Sequence, residues 1–546
     1  MSLHAIARRA ARALPPGLVQ RVRPGNPPVL GNYRLEHLAG ELPRWIEAAE
    51  RARSGMTASG SAPLLLVAWL PWWLEYSVAL ALLLSGRGEN VHLAYVPDRD
   101  WNSPLPSAER ERLAAYIRRS LQPLRRVVSL HEVSPMASGT LPAPLAAGLE
   151  AQSRRDVQYV RQREEIDLSP GSEDGQLLEF RRRRNAALGA GMLELLSLRQ
   201  FRAAVIPNGS LMDFGVAYRV ARHLGLPVLT YEFGEQRQRI WLARDDEVML
   251  QDTEAFWRAR GGDALTGAEA EVIRAMTEAR RQGQRWENFG RQWQASGRQG
   301  AQAVRQALGL DGERPIAVLC TNVVGDSLAL GRGIFTDGMA DWLRGSARLL
   351  GARQDVQLVV RIHPGEALGT GLPSAEIVRQ TLPDLPGHVS VVPPDSPFNT
   401  YDAIDLADFG LVYTTTAGLE MAMTGVPVIV AGRTHYRGRG FTVDPQSWED
   451  YASAIESMVR RPRGERLTAE QVELAWRYAY RFFFDYPFPF PWHLVRFWED
   501  EAARPMQSLL APGGLAPYQH ALAALAGGRL AWDRVPQGEA QAVVSG

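Results

Sequence analysis

The chain has 546 residues, of which 45% are hydrophobic and 22% are charged, and its formal net charge at pH 7 is +1. This composition is typical of a globular protein long enough for two or three domains, and the balanced charge gives no indication of a nucleic-acid partner. All 61 basic residues are arginine. The absence of lysine excludes a P-loop lysine, a pyridoxal Schiff base and the protein-kinase lysine, so phosphate would have to bind to arginine, histidine or backbone amides.

The single cysteine, Cys320, ends the apolar run IAVLC and is predicted to be a buried core residue. One cysteine excludes a disulfide framework and suits a reducing cytoplasm. Residues 1–25 place arginines among apolar residues at roughly helical spacing, without the long apolar segment of a secretory signal. Two interpretations stay open: a helix on a membrane surface, at the inner face of the plasma membrane, or a basic tail.

The apolar segment 63–86 has the length of a transmembrane helix, but Pro71 and Glu75 interrupt it. An ionised carboxylate near the middle of a membrane span is costly. A buried strand followed by a helix is therefore the better prediction for this segment.

Strands and helices alternate along the first half of the chain. Apolar runs predict strands at 64–69, 91–96, 126–131, 203–206 and 227–231. Helical periodicity predicts helices near 72–85, 107–121, 176–198 and 211–224. Near-continuous apolar strands that alternate with helices are typical of a parallel sheet covered on both faces, so the predicted fold class is α/β.

A tryptophan- and arginine-rich stretch without strand signals follows, and then the alternation restarts. Strands are predicted at 315–320, 356–362, 388–392, 409–413 and 427–431, and helices at 337–350, 373–381, 416–424 and 447–460. A long aromatic helix is predicted at 467–485, because the alternating prolines of 487-PFPFPW-492 forbid its continuation.

Polar residues that directly follow strands are the candidates for function, because open α/β sheets bind ligands beyond the carboxyl ends of their strands. Arg361 and His363 follow one strand, and both side chains can donate hydrogen bonds to an anion. Asn322, Asp326 and Ser327 follow another, where an Asx-type turn is the alternative interpretation.

The segment 414-TTTAGLE-420 combines three threonines with two small residues where a helix begins. Hydroxyls and unpaired amides at this position suit a phosphate, and Ala417 and Gly418 leave the backbone accessible. Glu420 does not form a capping box, because Ala417 has no side-chain oxygen, so we predict that it binds ligand hydroxyls. Simple threonine capping of the helix is the alternative.

The first half carries a similar cluster in 205-VIPNGSLMDFG-215 and at the end of the strand VLTYE. The polar residues of that turn are Asn208, Gly209, Ser210 and Asp213. Glu232 ends the next strand, and Glu75 follows the first one.

In this order, the clusters resemble the bacterial capsular and surface polysaccharide glycosyltransferases of the GT-B type. The similarity rests on 361-RIHPGE-366, 393-PPDSPFNTYD-402, 414-TTTAGLE-420 and 425-GVPVIVAGRTHYRGRGFT-442. It covers about 310–486 well and about 200–260 moderately. The resemblance implies two Rossmann-like domains that face each other across a cleft, and a helix that crosses back to the first domain.

The implied division of the chain has six parts. These are a basic N-terminal extension (1–60), an acceptor domain (61–260), a helical linker (261–310), a donor domain (311–465), a crossing helix (466–492) and a C-terminal extension (493–546).

The resemblance also implies the activity: transfer of a sugar from a nucleotide-sugar donor to a growing glycan or a lipid-linked saccharide. GT-B enzymes generally need no bound metal for catalysis, so no metal or cofactor is expected. In the implied donor site, His363 and Arg361 lie at the leaving phosphates, and Glu420 binds the ribose. The phosphates are surrounded by Thr414, Thr415, Thr416, Ala417 and Gly418, with Asn322 and Asp326 beside them. Ser396 and Thr400 lie near the base or sugar, and the donor is covered by Tyr436, Arg437 and Arg439.

A general base on the acceptor side is implied if the reaction inverts configuration. Glu232 is the first candidate for that base, followed by Asp213 and Glu75, with Asn208 and Gly209 beside them. Three alternatives stay open: a nucleotide-sugar 2-epimerase, a polyol phosphate transferase, and a non-catalytic polysaccharide-assembly protein.

Overall fold

The computed structural model describes most of the chain, namely residues 35–54, 62–97, 102–234, 236–284, 286, 297–368, 371, 373–530 and 532. The predicted basic helix or tail at 1–25 lies outside the described residues. Residues 64–86 form a buried strand and a helix, as predicted from the interrupted apolar run. No helix in these ranges is long and apolar enough to cross a membrane.

The first domain is built on a mostly parallel sheet. Its strands in chain order are β1 (Leu64–Ala68), β2 (Val91–Tyr95), β3 (Ser129–Glu132), β4 (Ala203–Pro207), β5 (Val228–Glu232) and β6 (Arg239–Arg244). Its helices are α1 (Glu36–Arg53), α2 (Pro71–Gly86), α3 (Ser107–Leu121), α4 (Ala143–Arg161), α5 (Glu173–Ser197) and α6 (Met212–His223).

The strand order β6-β5-β4-β1-β2-β3 puts the completely buried β1 near the centre of this sheet. Neighbouring strands are parallel except for β6, which runs antiparallel to β5. The sequence prediction missed β6 because its pattern alternates. Ile240 and Leu242 enter the core, whereas Arg239 and Trp241 remain partly exposed.

The second domain follows three helices, α7 (Glu254–Arg260), α8 (Gly267–Arg281) and α9 (Ala301–Ala307). Its strands are β7 (Ile316–Cys320), β8 (Gln357–Arg361), β9 (Val389–Val392), β10 (Phe409–Val412) and β11 (Val428–Val430). Its helices are α10 (Met339–Gly351), α11 (Ser374–Thr381), α12 (Thr400–Leu406), α13 (Ala417–Met423) and α14 (Trp448–Arg460).

All strands of this second sheet are parallel, in the order β11-β10-β7-β8-β9. Cys320 is buried at the end of β7, as predicted. The two sheets confirm the predicted fold class: a mixed α/β protein with two Rossmann-like domains on either side of a cleft.

The C-terminal segment crosses from the second domain to the first. Helix α15 (Ala469–Tyr480) continues into a π-helical turn (Arg481–Asp485), and β12 (Phe488–Pro489) then pairs antiparallel with β6 at the edge of the first sheet. The remaining helices are α16 (Phe497–Ala503), α17 (Met506–Leu509) and α18 (Gln519–Leu525).

Parts of both predicted extensions belong to the core of the first domain. Trp45 and Leu38 of α1 are completely buried in that core, together with Trp492 and Leu522 from the far end of the chain. Burial of such a large side chain stabilises the folded state by about 1.5–3 kcal/mol, so these segments are part of the folded first domain.

Polar contacts among the described residues connect the domains directly. The carboxylate of Glu164, in the loop after α4, accepts hydrogen bonds from Met339 N (2.9 Å) and Ala340 N (2.7 Å) at the start of α10. In the opposite direction, the buried Arg332 donates to the carbonyl oxygens of Met249 and Leu250, the latter at 3.0 Å. These bonds fix the two walls of the cleft relative to each other.

Candidate functional site

The cleft between the domains has a cavity volume of about 510 Å³. It is lined where strands of both sheets reach their carboxyl ends, which is the usual ligand position in open α/β sheets. The predicted residues that line it are Asn208, Glu232, Asn322, Asp326, Ser327, His363, Thr400, Thr414, Thr415, Thr416, Ala417 and Glu420. The fold thus brings together candidates from both halves of the sequence.

The three threonines of the turn 414–416 have different roles. Thr414 donates to the carbonyl oxygen of Leu328 at 3.0 Å and is buried. Thr415 Oγ1 accepts a long 3.4 Å bond from Ala417 N. Thr416 is the N-cap residue of α13, yet its side chain makes no capping hydrogen bond. Thr416 therefore does not cap α13 through its side chain, and it is one of the residues that line the cleft.

His363 lies on the same wall, directly after β8. Its backbone N–H donates to Thr321 Oγ1 (3.0 Å), and its ring Nδ1 accepts from Gly365 N (3.0 Å). Because Nδ1 is an acceptor, a neutral ring carries its proton on Nε2. Burial, followed by the positive charge of Arg361, lowers the pKa of His363 to about 4. At neutral pH, His363 is therefore an uncharged hydrogen-bond donor.

Glu232 and Asn208 form a pair on the opposite wall. Asn208 Nδ2 donates to Glu232 Oε2 at 2.8 Å, and the other carboxylate oxygen accepts from Phe233 N at 3.0 Å. Asn208 has a positive φ of 58°, in a tight turn after β4 that directs its amide toward Glu232. These two hydrogen bonds hold the Glu232 carboxylate in a fixed orientation at the cleft.

Glu420 lines the cleft but is held by protein groups. Its Oε1 accepts from the Tyr401 hydroxyl at 3.0 Å and lies 3.1 Å from a guanidinium nitrogen of Arg280. Asn322 is also engaged, since its Oδ1 accepts from Thr414 N at 3.2 Å. Asn322 therefore positions the threonine turn, and Glu420 presents an oriented carboxylate to the cleft.

Two predicted arginines have structural partners instead of facing a ligand. Arg361 is buried beneath the cleft and donates to Pro393 O (2.6 Å) and Thr400 Oγ1 (3.2 Å). Arg437 donates to the carbonyl oxygens of Val430 and Pro445. Neither lines the cleft, which corrects both assignments to the donor site.

Tyr436 and Gly418 are also packing residues. Tyr436 is completely buried under the threonine turn and donates to Thr415 O at 2.6 Å, so it does not close over a ligand. Close packing against Tyr436 also requires a residue without a side chain at position 418, since a Cβ on Gly418 would lie 2.5 Å from the Tyr436 hydroxyl and 2.8 Å from Val412 Cγ2. Gly418 does not line the cleft, contrary to our expectation of an open backbone.

Asp213 is not a candidate base in this structure. Its carboxylate is buried outside the cleft and pairs with Arg184 (2.5 Å) and Arg181 (2.9 Å). Burial alone would raise its pKa, but the two arginines lower the pKa of Asp213 overall. A buried carboxylate whose pKa is lowered by two cationic partners accepts protons poorly.

Glu75, Gly209, Ser396 and Arg439 also lie away from the cleft lining. Burial raises the pKa of Glu75 to about 7, but its Oε2 accepts from the indole N–H of Trp498 at 3.0 Å. A Cβ on Gly209 would lie 2.5 Å from Thr230 Cγ2, so packing explains that glycine. Ser396 accepts from Phe398 N.

Arg439, predicted to close over the donor, points to the start of α7 instead. Its guanidinium nitrogens lie 2.7 Å from Glu254 Oε2 and 3.0 Å from Thr253 Oγ1. Arg439 therefore holds α7 against the loop after β11.

The sequence prediction missed an arginine that does face the cleft. Arg433 is exposed, lines the cleft and has no ion-pair partner among the described residues. It comes two residues after the apolar run that contains β11, so the same rule that selected His363 would have found it. The resemblance drew attention to Arg437 and Arg439 further along the same loop. Other cleft residues that the prediction missed are Arg239, Trp241, Arg280, Arg332, Tyr401 and His435.

Comparison with known proteins leaves the family of this chain open. No family model and no curated protein matches it. Among solved structures, it is similar to KpsC, a beta Kdo 2,4 transferase of Thermosulfurimonas dismutans, at 17% identity and a TM-score of 0.31, over 50% of this chain and 79% of that chain. A putative UDP-N-acetylglucosamine 2-epimerase from Listeria monocytogenes matches at 10% identity and a TM-score of 0.25, over 76% of this chain and 91% of that one.

A third similar structure is the Streptomyces sp. SF2575 glycosyltransferase SsfS6, complexed with thymidine diphosphate. It is 12% identical, with a TM-score of 0.20 over 77% of this chain and 96% of that chain. At these identities and TM-scores the similarities carry no argument about activity. The functional argument therefore rests on the residues of the cleft.

Proposed function

We propose that this protein is a metal-independent glycosyltransferase that moves a sugar from a nucleotide-sugar donor to a surface or capsular polysaccharide, or to a lipid-linked saccharide. The observation that carries the proposal is that the two walls of one cleft present different chemical groups. Hydroxyl, imidazole and guanidinium groups that can donate hydrogen bonds to a phosphate line the second-domain wall, and an oriented carboxylate, Glu232, lies on the first-domain wall.

The donor side would bind the phosphates without lysine. Thr416 and Thr415 offer hydroxyls, His363 offers a neutral Nε2–H donor, and Arg433 offers a positive charge. Hydrogen-bond donors that are fixed in advance stabilise the negative charge that develops on a leaving phosphate, and losing one typically lowers the rate about 100- to 1,000-fold. Glu420 would accept hydrogen bonds from hydroxyls of the donor.

The acceptor side would supply the base. In the proposed single displacement, the acceptor oxygen forms a bond to the anomeric carbon of the donor sugar. The bond from that carbon to the phosphate oxygen breaks, and the nucleotide leaves with the electron pair. The acceptor proton passes to Glu232, whose carboxylate Asn208 orients.

Two variants test this assignment. His363→Ala and Glu232→Gln should each lower acceptor-dependent nucleotide release by about 100-fold or more, because one removes a phosphate donor and the other the base. The assay combines UDP-, GDP-, CMP- and CDP-linked sugars with a panel of saccharide acceptors. His223→Ala and Glu179→Gln, at exposed positions of α6 and α5, are the matched controls.

The same assay separates the alternatives. Near-normal transfer by either cleft variant, with the fold intact by circular dichroism, would refute the assignment of that residue. Conversion of the donor sugar to an epimer without any acceptor would indicate a 2-epimerase. Turnover of CDP-linked polyols would indicate a polyol phosphate transferase, and no turnover of any donor would favour an assembly role.

A further inference from the structure

Strand β6 presents a second set of side chains to the cleft, next to Glu232. The antiparallel register places Trp241 directly opposite Glu232. Residues opposite each other in an antiparallel pair have their side chains on the same face, with Cβ atoms about 4.5–5.5 Å apart. Arg239 lies two residues before Trp241 and therefore shares that face. All three side chains line the cleft.

The Trp241 ring is supported by packing and remains accessible from the cleft, as a ring that stacks on a ligand would be. It packs over the backbone of Gly234, where a Cβ would lie only 2.7 Å from Trp241 Cζ2, so no side chain can separate the two. Its ring contact among the described residues is with Phe482, with centroids 6.3 Å apart. The indole remains partly exposed in the cleft. Flat apolar surfaces of this kind bind the apolar face of a ring, with polar groups at its edge.

Arg239 carries a charge that the protein does not neutralise by a direct ion pair. Among the described residues, its side chain makes one hydrogen bond, a long one of 3.4 Å from Nη1 to Pro487 O. In the described part of the chain, no carboxylate oxygen lies within the 4.0 Å of an ion pair with its guanidinium. Burial lowers the pKa of Arg239, because the cation is poorly solvated there. The Asp485 carboxylate acts on Arg239 in the opposite direction but lies beyond ion-pair distance. A partly exposed cation that lines the cleft without a direct ion pair favours an anionic ligand.

Other arginines of this region have their partners in the protein. Arg237 lies 2.6 Å from the buried carboxylate of Asp500, and Arg244 donates to the carbonyl oxygens of Gly527 and Gly528 at 2.8 and 2.7 Å. Arg239 differs from both in facing the cleft with most of its donors available.

We propose that Glu232, Trp241 and Arg239 form an acceptor subsite for an acidic saccharide. A sugar ring stacks on Trp241, one of its hydroxyls reaches Glu232, and an anionic substituent, a carboxylate or a phosphate, binds Arg239. This inference rests on the proposed function, since it takes the first-domain wall of the cleft as the acceptor side. It adds the chemical class of the acceptor to that function.

Three matched probes test the subsite: methyl β-D-glucoside, methyl β-D-glucuronide and methyl β-D-glucoside 6-phosphate. Titration calorimetry with the full chain should show that one charged probe binds at least about 10-fold tighter than the neutral one, a difference of about 1.4 kcal/mol. Whichever charged probe is preferred distinguishes a carboxylate from a phosphate.

Variants assign the preference to its residue. Arg239→Gln should reduce the charge preference to about twofold or less, since it removes a charge-assisted hydrogen bond, whereas Arg239→Lys should retain part of it. Trp241→Ala should weaken binding of all three probes. Arg183→Gln, at an exposed arginine of α5 outside the cleft, is the control and should bind like the wild type.

Two results would overturn the subsite: equal binding of the charged and neutral probes, or a charge preference that survives Arg239→Gln in a folded protein. Nucleotide-sugar binding, measured in parallel, keeps the two claims apart. If a nucleotide sugar binds but the charge preference is absent, the subsite fails and the proposed function stands. If no nucleotide sugar binds, the proposed function itself fails.

Discussion

At the scale of single residues, the cleft depends on which polar groups already have partners. Arg361 ends β8 and Arg437 lies in the loop after β11, but their guanidinium groups donate to backbone carbonyls. Arg433 and Arg239 face the cleft without an ion-pair partner among the described residues. In a chain without lysine, these two arginines are the groups best placed to bind anions from opposite walls.

The protonation of His363 can be measured directly. Burial and the Arg361 charge both disfavour the imidazolium, so the pKa of His363 falls from 6.5 to about 4. We therefore expect the ring to stay neutral from pH 8 down to about pH 5, with its proton on Nε2. Long-range 1H–15N NMR of histidine-labelled protein checks this, with His363→Gln used for the assignment.

A diphosphate bound beside His363 should shift this titration. Negative charge within a few ångströms favours the cation, so a bound nucleotide should raise the pKa of His363 above its value in the free protein. A free-protein pKa near 6.5, or a proton on Nδ1, would contradict the role of His363 as a neutral Nε2–H donor.

At the scale of elements, burial patterns explain which parts of the fold the sequence could predict. The central parallel strands β1, β7 and β10 are buried on both faces and appear in the sequence as apolar runs, so all three were predicted within one or two residues. Strand β6 has one exposed face, and its alternation was not recognised. The sequence resemblance identified the loop after β11 as a candidate, but no sequence rule states which of its arginines points toward the cleft.

The junction of β10 and α13 is held by close packing, and glycine substitution tests it. Gly418→Ala should lower the free energy of unfolding by about 1–3 kcal/mol, because its Cβ would overlap the Tyr436 hydroxyl and Val412. Gly312→Ala is the matched control, since nothing lies within 4 Å of the added Cβ. Chemical denaturation measures both, and an equal effect at the two sites would contradict this packing.

At the scale of the whole molecule, the site exists only because the two domains meet. Neither Glu232 nor His363 by itself shows where the cleft lies. The contacts that hold the two residues across from each other, such as those from Glu164 to the start of α10, join distant segments of the chain. The C-terminal segment returns to the first sheet through β12. Sequence patterns could predict two α/β domains, but not these long-range contacts, because no local pattern encodes them.

The central claim is that the second-domain wall of the cleft binds nucleotide sugars. Titration calorimetry and thermal unfolding with UDP-, GDP-, CMP- and CDP-linked sugars test it most directly. At about 100 times the dissociation constant, the correct donor should stabilise the protein by about 2.7 kcal/mol. Arg433→Ala should weaken that binding about 10-fold through loss of a charge-assisted contact, whereas Arg460→Ala, at an exposed arginine of α14, should not. If none of these donors binds or raises the unfolding temperature of the wild-type protein, the account is contradicted.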